Sequence, residues 1–192
     1  MTKFSISNFL NTHEPRNGRF FTIAIDGRGA SGKSALSEHL GGLLPGFVML
    51  NGDDYFEPIH HPDVWGDFND ERFKQDIIEP LKHGNTFAYR PYDWHAEPHI
   101  SERQVTVTKG FCLERCYSFT FDLDWDLRIW VETPKALCLE RGLARENMPR
   151  DKALRAWHFW QAAEDRYIKE LNPAGHANLI IDGAKAFEAQ ME

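Results

Sequence analysis

Cysteine is scarce in this sequence and poorly placed for cross-linking. The three present, Cys112, Cys116 and Cys138, form neither an even disulfide framework nor a CxxC pair, so they read as reduced thiols in or near a core. Long apolar runs are missing as well. No stretch approaches a membrane span, and the opening Met1-Thr2-Lys3-Phe4-Ser5-Ile6-Ser7 lacks the apolar centre of a signal peptide, so the expectation is a soluble cytoplasmic protein. Basic charge is in deficit, with 22 Lys and Arg against 29 Asp and Glu and a net charge of −7. A surface of that sign is not built to neutralise a phosphate backbone, so nucleic acid is not an expected partner, nor is a membrane, and phosphate recognition should be local. Internal repeats and low-complexity segments are absent. A chain of 192 residues with 42% apolar content can bury one good core and is short for two, which gives a single domain over residues 1–192.

Against those absences stands one dense motif. Gly27-Arg28-Gly29-Ala30-Ser31-Gly32-Lys33-Ser34 fits the P-loop pattern G-x-x-x-x-G-K-S and directly follows the apolar run Phe20-Phe21-Thr22-Ile23-Ala24-Ile25. The pattern needs glycines where the backbone turns sharply close to phosphate, then a helix whose first N–H groups and positive dipole end face the anion. Residues 34–40 continue with good helix formers and place Leu36, Leu40 and Leu43 on one face, until Gly41-Gly42 and Pro45-Gly46 should stop the helix. A ligand-free glycine-rich turn is the plain alternative, but lysine and hydroxyl follow at the required places. The assignment is therefore to a nucleoside triphosphate such as ATP. The backbone of Gly29, Ala30, Ser31, Gly32, Lys33 and Ser34, between Gly27 and Ala35, would hold the β-phosphate. Lys33 would reach the β- and γ-oxygens, and the Ser34 hydroxyl would ligate Mg²⁺.

Apolar runs separated by helix-like stretches are the pattern of a parallel sheet covered by helices. Strands are expected at 20–25, 47–50, 110–114, 127–131 and 178–183, and helices at 69–81, 136–145 and 151–171, with Pro80 bending or ending the first of these. Thr86–Tyr89 and 104–108 alternate enough to be edge strands or a hairpin. That hairpin is a candidate contact between two copies of the chain, although ordinary edge protection explains it equally well. The fold class is α/β: a three-layer P-loop NTPase fold with a five-stranded parallel sheet, helices on both faces and the P-loop strand in the interior. A short arginine-bearing lid is expected near 141–152 and an acceptor-side insertion near 55–108.

Phosphoryl transfer requires a phosphate cradle, a metal, an orienting or basic carboxylate and mobile cations. Asp53 and Asp54 follow the second strand on the P-loop edge of the sheet, where a carboxylate could take a proton from an attacking hydroxyl; a solvated turn is the alternative. Glu114 ends a buried strand and is a candidate for the Mg²⁺ shell. Arg141, Arg145 and Arg150 surround an interrupted helix end, the first two four apart on one face, and could close over ATP and the transferring group. Tyr92-Asp93-Trp94-His95 sets aromatic rings beside a carboxylate, which suits a ribose or base, or else an aromatic packing cluster. Nine histidines invite a zinc reading, above all His60-His61 and His95-x-x-x-His99, but Pro98 argues against the helical turn that would join His95 to His99.

Taken together these segments resemble the uridine kinase and phosphoribulokinase group of P-loop kinases, over about residues 20–183. Asn51-Gly52-Asp53-Asp54-Tyr55-Phe56 is similar to the family's S-x-D-x-F-Y, with Asn51 for the serine and the aromatics inverted. The resemblance implies that Asp53 is the base, also close to the metal, with Asp54 and Tyr55 at the acceptor. Tyr92-Asp93-Trp94-His95 is similar to the nucleoside-contacting Y-D-x-x-x-H, with a different histidine spacing. Leu113-Glu114-Arg115-Cys116 stands where the family has a strand followed by E-G. This supports Glu114 and puts Arg115 in the glycine's place, where it would constrain the acceptor pocket. The implied activity is ATP- and Mg²⁺-dependent transfer to a small metabolite, with the 5′-hydroxyl of a uridine- or cytidine-like nucleoside foremost and sugars, pantothenate-like vitamins and other ribosides as alternatives. From a different class, a nucleotide-binding switch or sensor would use the same loop, although the D-x-x-G and N-K-x-D of a guanine switch are absent.

Overall fold

The computed structural model describes residues 3–58, 66–92 and 101–192. Along the chain, α1 (Ile6–Thr12) leads to β1 (Phe21–Gly27), α2 (Lys33–Leu43) and β2 (Phe47–Asn51). A 3-10 turn at Gly52–Tyr55 opens into an antiparallel ribbon of β3 (Phe56–Pro58) and β4 (Gly66–Phe68). A helical stretch follows, built of α3 (Asp70–Phe73), a π turn (Lys74–Ile78) and α4 (Glu79–His83). A second antiparallel ribbon pairs β5 (Thr86–Tyr89) with β6 (Arg103–Thr106). Then come β7 (Gly110–Glu114), β8 (Leu127–Glu132), α5 (Lys135–Arg145), α6 (Arg150–Leu171), the short α7 (Pro173–His176) and β9 (Leu179–Asp182).

Five of these strands form one parallel sheet in the order β2-β7-β1-β8-β9, so the P-loop strand is central. Strands covered on both faces read as unbroken apolar runs, and β7 is buried at every position. Alternation divides the core between the two faces. Ile23, Ile25, Cys112, Ile129 and Val131 meet Leu36 and Leu40 of α2 on one side. Ala24, Phe111 and Leu113 meet Tyr55, Phe73, Ile77 and Trp125 on the other. Each fully buried leucine of α2 contributes about 2 kcal/mol of apolar burial. That outweighs the cost of about 1 kcal/mol for each of Gly41 and Gly42, and the helix therefore runs past both to Leu43.

Pro80 does not end its helix, which continues to His83. The π turn immediately before it widens the helix, with the Glu79 N–H donating five residues back to the Lys74 carbonyl, and this makes room for a ring that would clash with the carbonyl of an ordinary turn. At the far end of α6, Asn172 adopts a left-handed conformation (φ 43°) and donates its N–H to the Ile168 carbonyl, closing the helix as the Asn-Pro pair predicts. Among the described residues, no helix is long and apolar enough to cross a membrane.

Candidate active site

The P-loop joins β1 to α2 with three residues in the left-handed region: Gly32 (φ 109°), Gly27 (φ 155°) and the non-glycine Ala30 (φ 58°). At Gly27 a Cβ would lie 2.8 Å from both Ser31 Oγ and the Val131 carbonyl oxygen, so the tight entry excludes any side chain. Gly32 is the N-cap of α2 and supplies no side-chain acceptor, which leaves the first-turn N–H groups of Lys33, Ser34 and Ala35 without a helical partner. Those N–H groups and the helix dipole form an anion cradle. Within the loop two N–H groups are already engaged, that of Gly29 donating to Glu164 Oε1 at 2.7 Å, away from the cradle, and that of Ser31 donating to the Arg28 carbonyl at 3.1 Å. Lys33 is buried, with Nζ donating to the Arg28 carbonyl at 2.8 Å and lying 3.3 Å from Cys116 Sγ.

Glu114 faces this lysine from the end of β7. It is paired in register with Ile25 on one side and Asn51 on the other, and the Ser34 hydroxyl lies near enough to its carboxyl to favour the charged form. Two residues beyond Asn51, Asp53 is exposed in the 3-10 turn, its N–H donating to the Asn51 side chain at 2.8 Å. Sheet order thus brings Lys33, Ser34, Asp53 and Glu114 to one edge of the sheet, although they span 82 residues of chain. A serine hydroxyl and two carboxylates are hard oxygen donors of the kind Mg²⁺ prefers. Among the described residues no group of three or more His, Cys, Asp or Glu converges as a metal site; His60, His61, His95 and His99 lie outside them.

Burial pushes the Glu114 carboxyl up to about 7, opposed by Lys33 and reinforced by Asp53, while the Ser34 hydrogen bond and Arg145 pull it down. Burial also pushes the Cys116 thiol up to about 11, so it is a neutral neighbour at pH 7. Burial works against the Lys33 ammonium as well, but the surrounding Cys116, Glu114 and Asp26 outweigh it and hold the pKa above the ordinary lysine value. With the thiol neutral, Asp26 and the ionised fraction of Glu114 supply that attraction.

Of the three candidate arginines, one contacts the loop. Arg141 donates to the Gly183 carbonyl at 2.9 Å and lies 3.5 Å from the Ser31 carbonyl, bracing the loop against the turn after β9. Arg145 is exposed, sits 5.5 Å from the centroid of the Trp157 ring and acts on Glu114. Arg150 is exposed at the first position of α6.

Two acceptor-side assignments are corrected. Tyr55 is fully buried, edge-on to Phe73 at 5.0 Å and stacked on Tyr89 at 5.8 Å, so it belongs to the core and does not face a substrate. Arg115 is also buried, its guanidinium 2.7 Å from Asp70 Oδ1 and over the Phe121 ring at 4.9 Å. It braces the aspartate turn from beneath and does not line a pocket, since a Cβ on Gly52 would meet the Arg115 Cβ at 2.3 Å. Asp54 is partly buried and accepts from Tyr89 Oη at 3.1 Å, while its carbonyl takes the Tyr92 N–H at 2.8 Å. Burial raises the Asp54 pKa. Asp93, Trp94 and His95 lie outside the described residues.

Four residues close to the loop escaped sequence reasoning: Asp26, Cys116, Glu164 and Tyr167. Asp26 was legible in principle, as a carboxylate inside an apolar strand, a position that charge occupies only when it is paired. Cys116, Glu164 and Tyr167 carry no such signal.

No family model matches the sequence, and no curated protein sequence matches it. Solved structures do. The chain is similar to a possible uridine kinase from Bacillus stearothermophilus, with a TM-score of 0.65 and 16% identity over 92% of this chain and 99% of the other. It is likewise similar to a provisionally assigned fructose transport system kinase from Silicibacter sp. TM1040, with a TM-score of 0.68 and 22% identity over 91% of this chain and 96% of the other. The five-stranded parallel sheet with its surrounding helices is therefore the fold of P-loop kinases.

Proposed function

We propose that this chain is a P-loop kinase that moves the γ-phosphoryl group of ATP, with Mg²⁺, to a hydroxyl of a small metabolite, the 5′-hydroxyl of a pyrimidine nucleoside foremost. The observation that carries the reading is the meeting of Ser34, Glu114 and Asp53 beside Lys33 at the open N-terminus of α2. Fold likeness supports the kinase class, and the acceptor class rests on the resemblance of the aspartate segment and of residues 92–95.

In this reading the first-turn N–H groups of α2 and the Lys33 ammonium hold the β- and γ-phosphates and spread their charge. Ser34, Glu114 and Asp53 would hold Mg²⁺, which would neutralise phosphate charge and orient the triphosphate. Asp53 is exposed in the turn, while Glu114 is buried at the end of β7 beside Lys33. Asp53 therefore faces the acceptor and accepts the hydroxyl proton, and Glu114 stays with the cation. Arg141 and Arg145 extend from α5 over the donor side and stabilise charge on the transferring group; they and Arg150 form the cover.

The test is ADP release with ATP and Mg²⁺ against uridine, cytidine, other ribosides, pantothenate and simple sugars, with Lys33→Ala as the blank. Acceptor-dependent release that Lys33→Ala abolishes supports the kinase and names its substrate class. Slow release indifferent to every acceptor would reject the kinase reading in favour of a nucleotide-binding switch.

A further inference from the structure

One face of α6 is applied to the outer side of the P-loop. Trp157, Glu164 and Tyr167 recur at helical spacing on that face. The Trp157 ring lies so close to Gly29 that a Cβ there would be 3.2 Å from it, which fixes the height of the loop over the helix. Buried Glu164 takes the Gly29 N–H at 2.7 Å through Oε1, and its Oε2 lies 3.4 Å from Arg28 Nη1. The other arm of Arg28 pairs with Asp165 at 2.7 Å, and Asp165 is held in turn by Lys135 at 2.6 Å. One turn further along, the Tyr167 hydroxyl donates to Asp26 Oδ2 at 2.6 Å. Asp26 is fully buried and also accepts N–H groups from Gly27 (2.7 Å), Tyr117 (2.9 Å) and Phe119 (3.2 Å).

Buried carboxylates are costly, and these two do not touch the anion the loop is built for, because like charge would repel it. What both do is hold backbone. Glu164 aims the Gly29 peptide away from the cradle, and Asp26, pinned by Tyr167, fixes the peptide that enters the loop. Arg28 offsets the Glu164 charge and closes the network. Ala30, whose left-handed backbone costs free energy in a non-glycine residue, lies in the turn that the Ser31 N–H closes onto the Arg28 carbonyl at 3.1 Å, and the restraints from α6 hold the residues on the entry side of that turn.

We propose that Glu164 and Tyr167 of α6 are positioning residues that hold the phosphate loop in its binding conformation and thereby set its affinity for the β-phosphate. The inference rests on the nucleotide-binding reading above. It also makes α6, which starts immediately after the arginine-bearing turn, the element that ties the cover to the cradle.

The experiment is calorimetric titration of ATP, ADP and AMP, without acceptor, into the wild-type chain and the Glu164→Ala, Glu164→Gln and Tyr167→Phe variants, with the thermal midpoint of each. Glu164→Ala and Tyr167→Phe should each weaken ATP and ADP about tenfold, the scale of a hydrogen bond to a charged group, and leave AMP, which lacks the β-phosphate, within about twofold. Glu164→Gln keeps an acceptor for the Gly29 N–H and should recover most of the loss. A merely structural helix contact would lower the midpoint and leave the ratio of ADP to AMP affinity unchanged, and that result overturns the proposal. Should Glu164→Ala fail to fold, the near-isosteric Tyr167→Phe decides on the same criterion. A wild-type chain that binds ATP while Tyr167→Phe and Glu164→Ala bind it equally well sinks the clamp alone; a wild-type chain that binds no nucleotide sinks the function and the clamp together.

Discussion

Burial keeps the Glu114 proton in place to about pH 7 in the folded chain, against 4.5 for an ordinary glutamate. The folded state therefore binds this proton more tightly than the unfolded state does. The resulting stability is fully present below about 4.5 and is lost as pH rises through about 7. Asp26 and Glu164 shift in the same direction, also through burial. Metal-free protein should lose on the order of 3 kcal/mol from Glu114 alone between pH 4.5 and 8. Glu114→Gln removes the titration, so melting curves across that range should be flatter for the variant than for wild type; equal slopes would mean that Glu114 ionises freely. The position of Lys33 and Ser34 at the start of α2 was legible because the motif itself spaces lysine and hydroxyl after the loop. Tyr55 was misread because an aromatic ring after two acids looks like a binding residue, and only its contacts with Phe73 and Tyr89 reveal a core position.

Elements depend on tight backbone approaches at two glycines. At Gly52 a Cβ would sit 2.3 Å from the Arg115 Cβ, and neither atom is at the end of a flexible chain, so Gly52→Ala must push the Asp53 turn off β7. About 2 kcal/mol of destabilisation is expected from such overpacking, with turnover falling and nucleotide affinity holding, since the P-loop does not move. A parallel fall in both would show that the turn and the loop shift together. At Gly142 a Cβ would come within 2.3–2.5 Å of the Trp157 indole, the ring that also supports Gly29. Gly142→Ala should therefore separate α5 from α6 and weaken ATP binding as well as stability, measurable in one titration and one melt. The strands β1, β7 and β8 were readable as apolar runs because both of their faces are covered. The continuation of the helix past Pro80 was not legible because a π turn is a local rearrangement with no periodic signature of its own.

For the molecule as a whole, strand order converts distant residues into one site. With β7 and β8 flanking β1, Glu114 and the Asp53 turn fall beside α2, while the turn after β9 meets the loop at Ser31. The sequence revealed the layers and this sheet edge because alternating apolar and helical segments have few topological solutions. It could not reveal the clamp from α6, because Glu164 and Tyr167 meet the loop only through a contact more than 130 residues apart in sequence. A ligand that binds only the folded chain raises its stability, by about 2.7 kcal/mol at a hundredfold excess over Kd. ATP with Mg²⁺ should accordingly raise the thermal midpoint of the wild type and leave that of Lys33→Ala nearly unmoved.

The most direct test of the central claim measures γ-phosphoryl transfer to the acceptor by wild type and Asp53→Asn side by side, with the Kd for metal-free ATP determined on the same samples. The predicted result is an unchanged Kd and a rate lower by about a thousandfold, the scale of a lost general base. An Asp53→Asn chain with near-normal turnover, or a wild type whose ADP release ignores the acceptor, would contradict it.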